Sequence, residues 1–169
     1  TEAIESALAQ EASFNIHIVV VNDGCPFPET DIVCRDYAAA YPERLTYLRK
    51  RNGGLSDARN FGIRYVLKYM PSVDAIYMLD ADNRLRRGSM ARAMAALDAD
   101  PQVDWIYPNI DMFGLHQHDD YGGEYSVLLH TTMNLCEAGS LIRRRVFDRG
   151  ILFDTEFKLG WEDWDFFVT

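Results

Sequence analysis

Tyr77-Met78-Leu79-Asp80-Ala81-Asp82-Asn83 is the stretch whose reading decides the fold. It follows Asp74-Ala75-Ile76, so a short apolar run, buried on both faces, ends abruptly in two carboxylates spaced two apart. Such a strand delivers charge to the edge of a sheet. If the backbone stays extended through Asp82, the two-residue period puts Asp80 and Asp82 on one side, where one divalent cation bridges both to a phosphate. Mg²⁺ and Mn²⁺ are hard cations that take oxygen ligands and keep positions open for substrate phosphates. An isolated D-x-D also ends ordinary strands before a turn, so the flanking chain has to choose between the two readings.

Upstream, Ile16 to Val21 is a β-branched run stopped by Asn22-Asp23-Gly24, a second strand end that carries a carboxylate. The first dozen residues place Ala3, Ile4, Ala7, Leu8 and Ala12 on one stripe with Glu2, Glu5 and Gln10 off it, which predicts an amphipathic helix. A helix is expected over 29–40, stopped before Pro42, then a short strand over 45–48. Asn52-Gly53-Gly54 breaks the chain before a helix over 56–68, with Ser56 as its cap and Ala58, Phe61, Gly62, Val66 and Leu67 available for packing.

Downstream, 86–97 reads as a helix and 103–107 as a strand. Strands therefore alternate with helices, which predicts an α/β fold: a mostly parallel sheet with helices on both faces, its ligands beyond the carboxyl ends of the strands. Asp23 and Asp80 both fall there. Residues 108–135 are irregular and read as a substrate-facing loop or small hairpin. Their His116, His118, Asp119 and Asp120 make either a metal-binding cluster or a solvated tip, and no chemistry is assigned to them. Residues 137–142 read as a strand and 143–147 as a helix whose Arg143, Arg144 and Arg145 face solvent, phosphate or a lipid surface. In Gly160-Trp161-Glu162-Asp163-Trp164-Asp165 acids alternate with indoles, where apolar walls raise a carboxyl pKa toward the range of a general base. The same residues suit the positive end of a helix dipole.

Composition narrows the function. The chain has 169 residues, enough for one domain with a real core, and 48% of them are hydrophobic. A formal charge of −9 argues against a nucleic-acid surface. Three cysteines without C-x-x-C spacing, Cys25, Cys34 and Cys136, fit a reducing compartment, so a cytoplasmic location is expected. No apolar run approaches the roughly 20 residues that span a bilayer.

Four segments in order resemble the family 2 glycosyltransferases of the glycosyltransferase A-type, Rossmann-like fold: V-V-V-N-D-G at 19–24, N-G-G-L-S-D-A-R-N at 52–60, L-D-A-D at 79–82 and G-W-E-D-W-D at 160–165. The resemblance implies a nucleotide-diphosphate sugar as donor and a divalent cation, Mn²⁺ or Mg²⁺, held by Asp82 with Asp80 on ribose, sugar or metal. Asn22, Asp23 and Gly24 would meet the nucleoside; Asn52, Gly53 and Arg59 would lie on the nucleotide side, Arg59 near the donor or bracing the acidic strand end. Asp163 would take the acceptor hydroxyl's proton, with Glu162 orienting acceptor or base, and attack from that face inverts the anomeric centre. Trp161 and Trp164 stack on sugar rings or pack around the helix start.

The resemblance also implies a truncation, because family members begin with a further central strand and continue past the E-D motif. Residues 1–169 are thus expected to be one partial catalytic domain, with 1–107 binding the nucleotide sugar and 108–169 facing a carbohydrate or lipid-linked acceptor. The missing strand predicts that its neighbours close together or that another copy pairs with them. The whole protein is expected at the inner face of a membrane, in polysaccharide, glycolipid or glycoprotein glycan synthesis. The competing expectation is a catalytically incomplete nucleotide-binding or structural module of a larger protein.

Overall fold

In the computed structural model, which describes residues 1–110 and 124–169, α1 (Glu2–Leu8) leads into β1 (Ile18–Asn22). The first helix is shorter than the stripe suggested. Gln10, off the apolar stripe, is nonetheless buried: its amide nitrogen donates to the Arg86 carbonyl at 2.9 Å and its amide oxygen accepts the Met90 N–H at 3.1 Å. α2 (Pro28–Ala40) starts on proline, which costs nothing at a position whose N–H has no helical partner. β2 (Leu45–Arg49) then lies parallel to β1, in register from Ile18↔Leu45 to Asn22↔Arg49.

α3 (Leu55–Tyr69) buries Ser56, Asn60, Ile63 and Val66, a stripe shifted from the expected one, and Phe61 stays 37% exposed. Gly62 lets the helix lie against β1, since a Cβ there would sit 3.2 Å from Cγ2 of Val21. β3 (Ala75–Tyr77) is the apolar run that precedes the two acids, and α4 (Ser89–Ala99) and β4 (Trp105–Ile106) follow. α5 (Val127–His130) falls in the stretch read as irregular, and the His116 to Asp120 cluster lies outside the described residues. β5 (Leu141–Arg143), α6 (Arg144–Asp148) and α7 (Glu162–Val168) complete the chain.

The α/β fold is present with two departures from the expected sheet. β5 runs antiparallel between β3 and β4, so the segment expected on the acceptor side supplies the central strand of that sheet. Among the described residues β1 pairs with β2 alone and β3 with β5 alone, which leaves two sheets of order β1-β2 and β3-β5-β4. The expected closing of β1 onto β3 therefore does not occur. α3 lies against both sheets, with Gly62 on β1 and Ile63 in the core of the other.

That core joins Ile63, Met78, Ile142, Phe147, Phe153 and Phe166, with Phe153 stacked on Phe166 at 4.4 Å. Of the three arginines expected to face solvent, phosphate or lipid, Arg143 and Arg144 are turned inward, while the Arg145 side chain stays 42% exposed. Arg143 donates to the Leu97 and Val103 carbonyls, Arg144 to those of Leu67 and Met70, and Arg145 to Asp104 and the Pro101 carbonyl. Two of them thereby satisfy carbonyls at the ends of α3 and α4, where a helix dipole favours cations. No helix among the described residues is long and apolar enough to cross a membrane.

Candidate active site

The first carboxylate site is a closed loop. Asp23 follows β1, and its oxygens accept the backbone N–H of Gly53 at 3.0 and 3.1 Å and of Gly54 at 2.8 Å, and pair with the Lys50 ammonium. Lys50 also pairs with Asp57 at 2.6 Å. Burial pulls the Lys50 pKa down, but its bonds to Asp23 and Asp57 outweigh that and leave it raised, while the Lys50 bond holds Asp57 low. Asp23 thus fixes the loop that leads into α3 rather than capping the helix, and Ser56, expected as the cap, lies within the first turn, its hydroxyl buried without a partner among the described residues. Gly24 (φ +70°) is required here, because a Cβ would come within 2.7 Å of the Asn52 nitrogen. Asn52 donates its side-chain amide to the Asp23 carbonyl at 2.9 Å. Asn22 is buried, donating to the Tyr47 hydroxyl at 2.8 Å and accepting the Cys25 N–H at 2.8 Å.

The second site lies around Asp80. β3 stops at Tyr77 and the chain turns at Ala81 and Asp82, with the Asn83 N–H donated to the Asp80 carbonyl at 3.1 Å. Strand alternation therefore does not set the relation of Asp80 to Asp82, since the extended backbone it required ends earlier. Arg59, on α3, donates to Asp80 Oδ1 at 2.9 Å and to Glu162 Oε1 at 2.8 Å, with its side chain 8% exposed. Arg59 thus braces the acidic strand end and reaches α7 as well.

α7 begins at an unusual backbone. Gly160 has φ +104° and Trp161 φ +71°, the latter being the non-glycine residue with positive φ among those described. A left-handed conformation costs an L-residue about 1–2 kcal/mol. Trp161 is also 62% exposed. Just beyond it Asp163 accepts the Trp164 N–H at 2.8 Å and faces the Asn134 side-chain amide at 3.4 Å. Trp164 packs 5.2 Å from Trp161 and donates its indole N–H to the carbonyl of buried His130. Burial lowers the His130 pKa, partly opposed by the Trp164 backbone and by the charge of Asp163.

A residue the sequence reading missed connects these acids. Glu137 stands in the turn that leads into β5, and the charges of Asp80, Asp82, Asp163 and Arg59 all act on its carboxyl. Burial raises the Glu137 pKa first, then the charges of Asp163 and Asp80; Arg59 opposes them and Asp82 adds to them. Tyr77 is pushed up to about 12 by burial, with Glu137 and Asp80 contributing. The acids of three distant segments thus share one electrostatic neighbourhood. No local signal marks Glu137, a single acid in a small-residue turn.

A pH prediction follows from this placement. With its folded pKa above the unfolded value, Glu137 holds a proton in the native state that the unfolded chain has released; its contribution is full at low pH and is lost as pH rises through the folded value. Glu137→Gln is expected to flatten this fall and to raise stability at neutral pH. Urea midpoints of both proteins from about pH 4 to about pH 7.5 check it, and parallel curves would contradict it.

A divalent cation suits the donor set but not as an all-protein cage. Asp80 Oδ2 and the Asp82 carboxylate have no side-chain partner among the described residues, and both offer the hard oxygens that Mg²⁺ and Mn²⁺ take. Among those residues no group of three or more His, Cys, Asp or Glu is placed to hold an ion, so substrate oxygens would complete the shell. Two open concavities lie elsewhere: about 620 Å³ bounded by Gln10, Phe14, His17 and Arg44, and about 520 Å³ bounded by Trp105, Tyr107 and Tyr125. The convergent charged groups mark the acid cluster rather than either of these as the candidate site.

Comparison with known proteins agrees with this architecture. The sequence model described as glycosyl transferase family 2 matches residues 1–151, and the chain belongs to that family. The match ends before Glu162 and Asp163, so their placement here rests on geometry. Over 100 residues the chain is 38% identical to the minor teichoic acid biosynthesis protein GgaB of Bacillus subtilis (strain 168), covering 58% of this chain and 10% of that protein. It is 48% identical over 63 residues to the uncharacterized glycosyltransferase RP339 of Rickettsia prowazekii (strain Madrid E), covering 37% of this chain and 18% of the relative. It is 44% identical over 63 residues to the uncharacterized glycosyltransferase EpsJ of Bacillus subtilis (strain 168), covering 37% and 17%. The matched part is less than a fifth of each relative's length.

Proposed function

We propose that this chain carries the donor and acceptor sites of a metal-assisted, inverting glycosyltransferase. It would move a sugar from a nucleotide-diphosphate donor to an acceptor hydroxyl in cell-envelope glycan synthesis. The observation that carries the reading is the Arg59 bridge, which brings the L-D-A-D strand end within one guanidinium of the G-W-E-D-W-D helix. Family membership and the teichoic acid role named for GgaB support it. The three free cysteines fit a cytoplasmic site of action, and docking at the inner membrane face, a lipid-linked acceptor and pairing with further copies are proposed for the whole protein.

In this reading residues 1–107 serve the donor and 108–169 the acceptor. Asp82 and the free oxygen of Asp80 hold the cation, which when bound supplies Lewis-acid stabilisation of the leaving diphosphate. Asp23, Gly24, Asn52 and Gly53 line the nucleoside end, with the Asp23 clamp fixing the loop and Asn22 seating the turn before it. Asp163 takes the proton of the acceptor hydroxyl as that oxygen attacks the anomeric carbon and the donor's glycosidic bond breaks. Trp161, exposed and held in a strained conformation beside that acid, offers a face for a sugar ring.

The test is turnover of a panel of nucleotide sugars with Mn²⁺ and acceptor glycans, with product anomers read by NMR. Transfer with inversion supports the reading. Retention removes the direct role of Asp163, and binding of UDP and Mn²⁺ without turnover assigns a nucleotide-binding module instead.

A further inference from the structure

Two consecutive residues of α3 hold α7, Arg59 at its first residue and Asn60 through Phe153 farther along. Asn60, 1% exposed, donates its amide to the Phe153 carbonyl at 2.7 Å and accepts the Phe153 N–H at 2.9 Å. Phe153 stacks at 4.4 Å on Phe166 of α7. Beside it the Arg59 guanidinium lies 5.1 Å from the Phe153 ring centre and extends one arm to Glu162, the first residue of α7, and the other to Asp80. Its Nε is buried without a partner among the described residues, so packing and the two carboxylates hold the group there. The 8% exposure leaves little water to replace either carboxylate if one is withdrawn.

Such a group cannot serve its two partners independently. A cation arriving at Asp80 weakens the pull of that carboxylate on Arg59, and the guanidinium then binds Glu162 more strongly. Glu162 precedes Asp163, so the position of the acceptor-side acid is tied to the state of the donor-side acid. We propose that Arg59 is a positioning residue that couples the two halves of the site, so that a cation and diphosphate engaged at Asp80 order the first turn of α7 and with it Asp163. This rests on the donor reading above, and linkage makes it reciprocal: a more ordered α7 binds the cation and diphosphate more tightly.

The experiment is hydrogen exchange of the α7 amides in the full-length protein, with and without UDP and Mn²⁺, alongside calorimetry of the same ligands. In the wild type, ligand is expected to slow exchange at 162–165. Arg59→Lys keeps the charge but presents a point donor that cannot span both carboxylates. It is expected to lose that response and to lower kcat about 10- to 100-fold, with the UDP Kd changed less than about threefold. Glu162→Gln keeps an acceptor but weakens the ion pair and is expected to lose the response too, so it carries the test if Arg59→Lys is shown by circular dichroism not to fold. Binding without any response at α7 in the wild type overturns the coupling while leaving the donor reading intact. A response that survives in the folded variants also overturns it, as does loss of UDP binding in Arg59→Lys with kcat unchanged, which would make Arg59 a donor ligand. If UDP and Mn²⁺ do not bind the wild type, the donor reading falls and the coupling with it.

Discussion

Asp163→Asn is expected to lower kcat about 10²- to 10⁴-fold, the range that positioned proton transfer contributes, while the donor Kd stays within about threefold. The substitution keeps the shape of the side chain and an oxygen that can accept the Trp164 N–H, so the start of α7 is retained. What it removes is the basicity that accepts the hydroxyl proton. The Asn134 amide at 3.4 Å would then face a neutral group. Steady-state kinetics with the donor varied at saturating acceptor, together with UDP calorimetry, separates the two parameters. An unchanged kcat would take the base role from Asp163, and Glu137, which shares its electrostatic field, would be the next group to test.

Asp82→Ala is expected to abolish the metal dependence of UDP binding, so that the Kd with Mn²⁺ rises at least about tenfold and equals the Kd without it. Asp82 is exposed on the turn and has no protein partner among the described residues, so its removal leaves no buried charge unpaired. The folded state should be nearly unaffected, with the loss confined to the ligand. Asp80 is the poorer choice for this experiment because Arg59 would be left with one carboxylate in place of two. Calorimetry of UDP at fixed Mn²⁺ checks the prediction, and a variant that still needs Mn²⁺ for binding would contradict it.

The elements were legible in the sequence where a local pattern spans the whole element. The β-branched run from Ile16 gave β1, and the polar break at Asn52-Gly53-Gly54 announced α3. The carboxylates at 23 and 80 stand out in the sequence because each follows an apolar run, that at 82 by its spacing from 80, and that at 163 because it lies between indoles. Their partners do not, because those contacts join residues far apart in the chain: Asn60 to Phe153, Arg59 to Glu162, Arg59 to Asp80. Arg143 to Arg145 looked like a charged helix face, and only the ends of α3 and α4 in three dimensions show carbonyls waiting for guanidinium groups. The direction of β5 was hidden for a similar reason. An apolar run has the same composition whether it lies parallel or antiparallel to its neighbour.

The central claim is that acids from separate stretches of the chain form one cation and diphosphate site. Paramagnetic broadening by Mn²⁺ with UDP, followed in the backbone amide NMR spectrum, tests this most directly. The account predicts that amides of 80–83, 137–139 and 162–164 broaden together at substoichiometric Mn²⁺ and recover when Mg²⁺ replaces it. Broadening confined to 80–83, with 137–139 and 162–164 untouched, would contradict it.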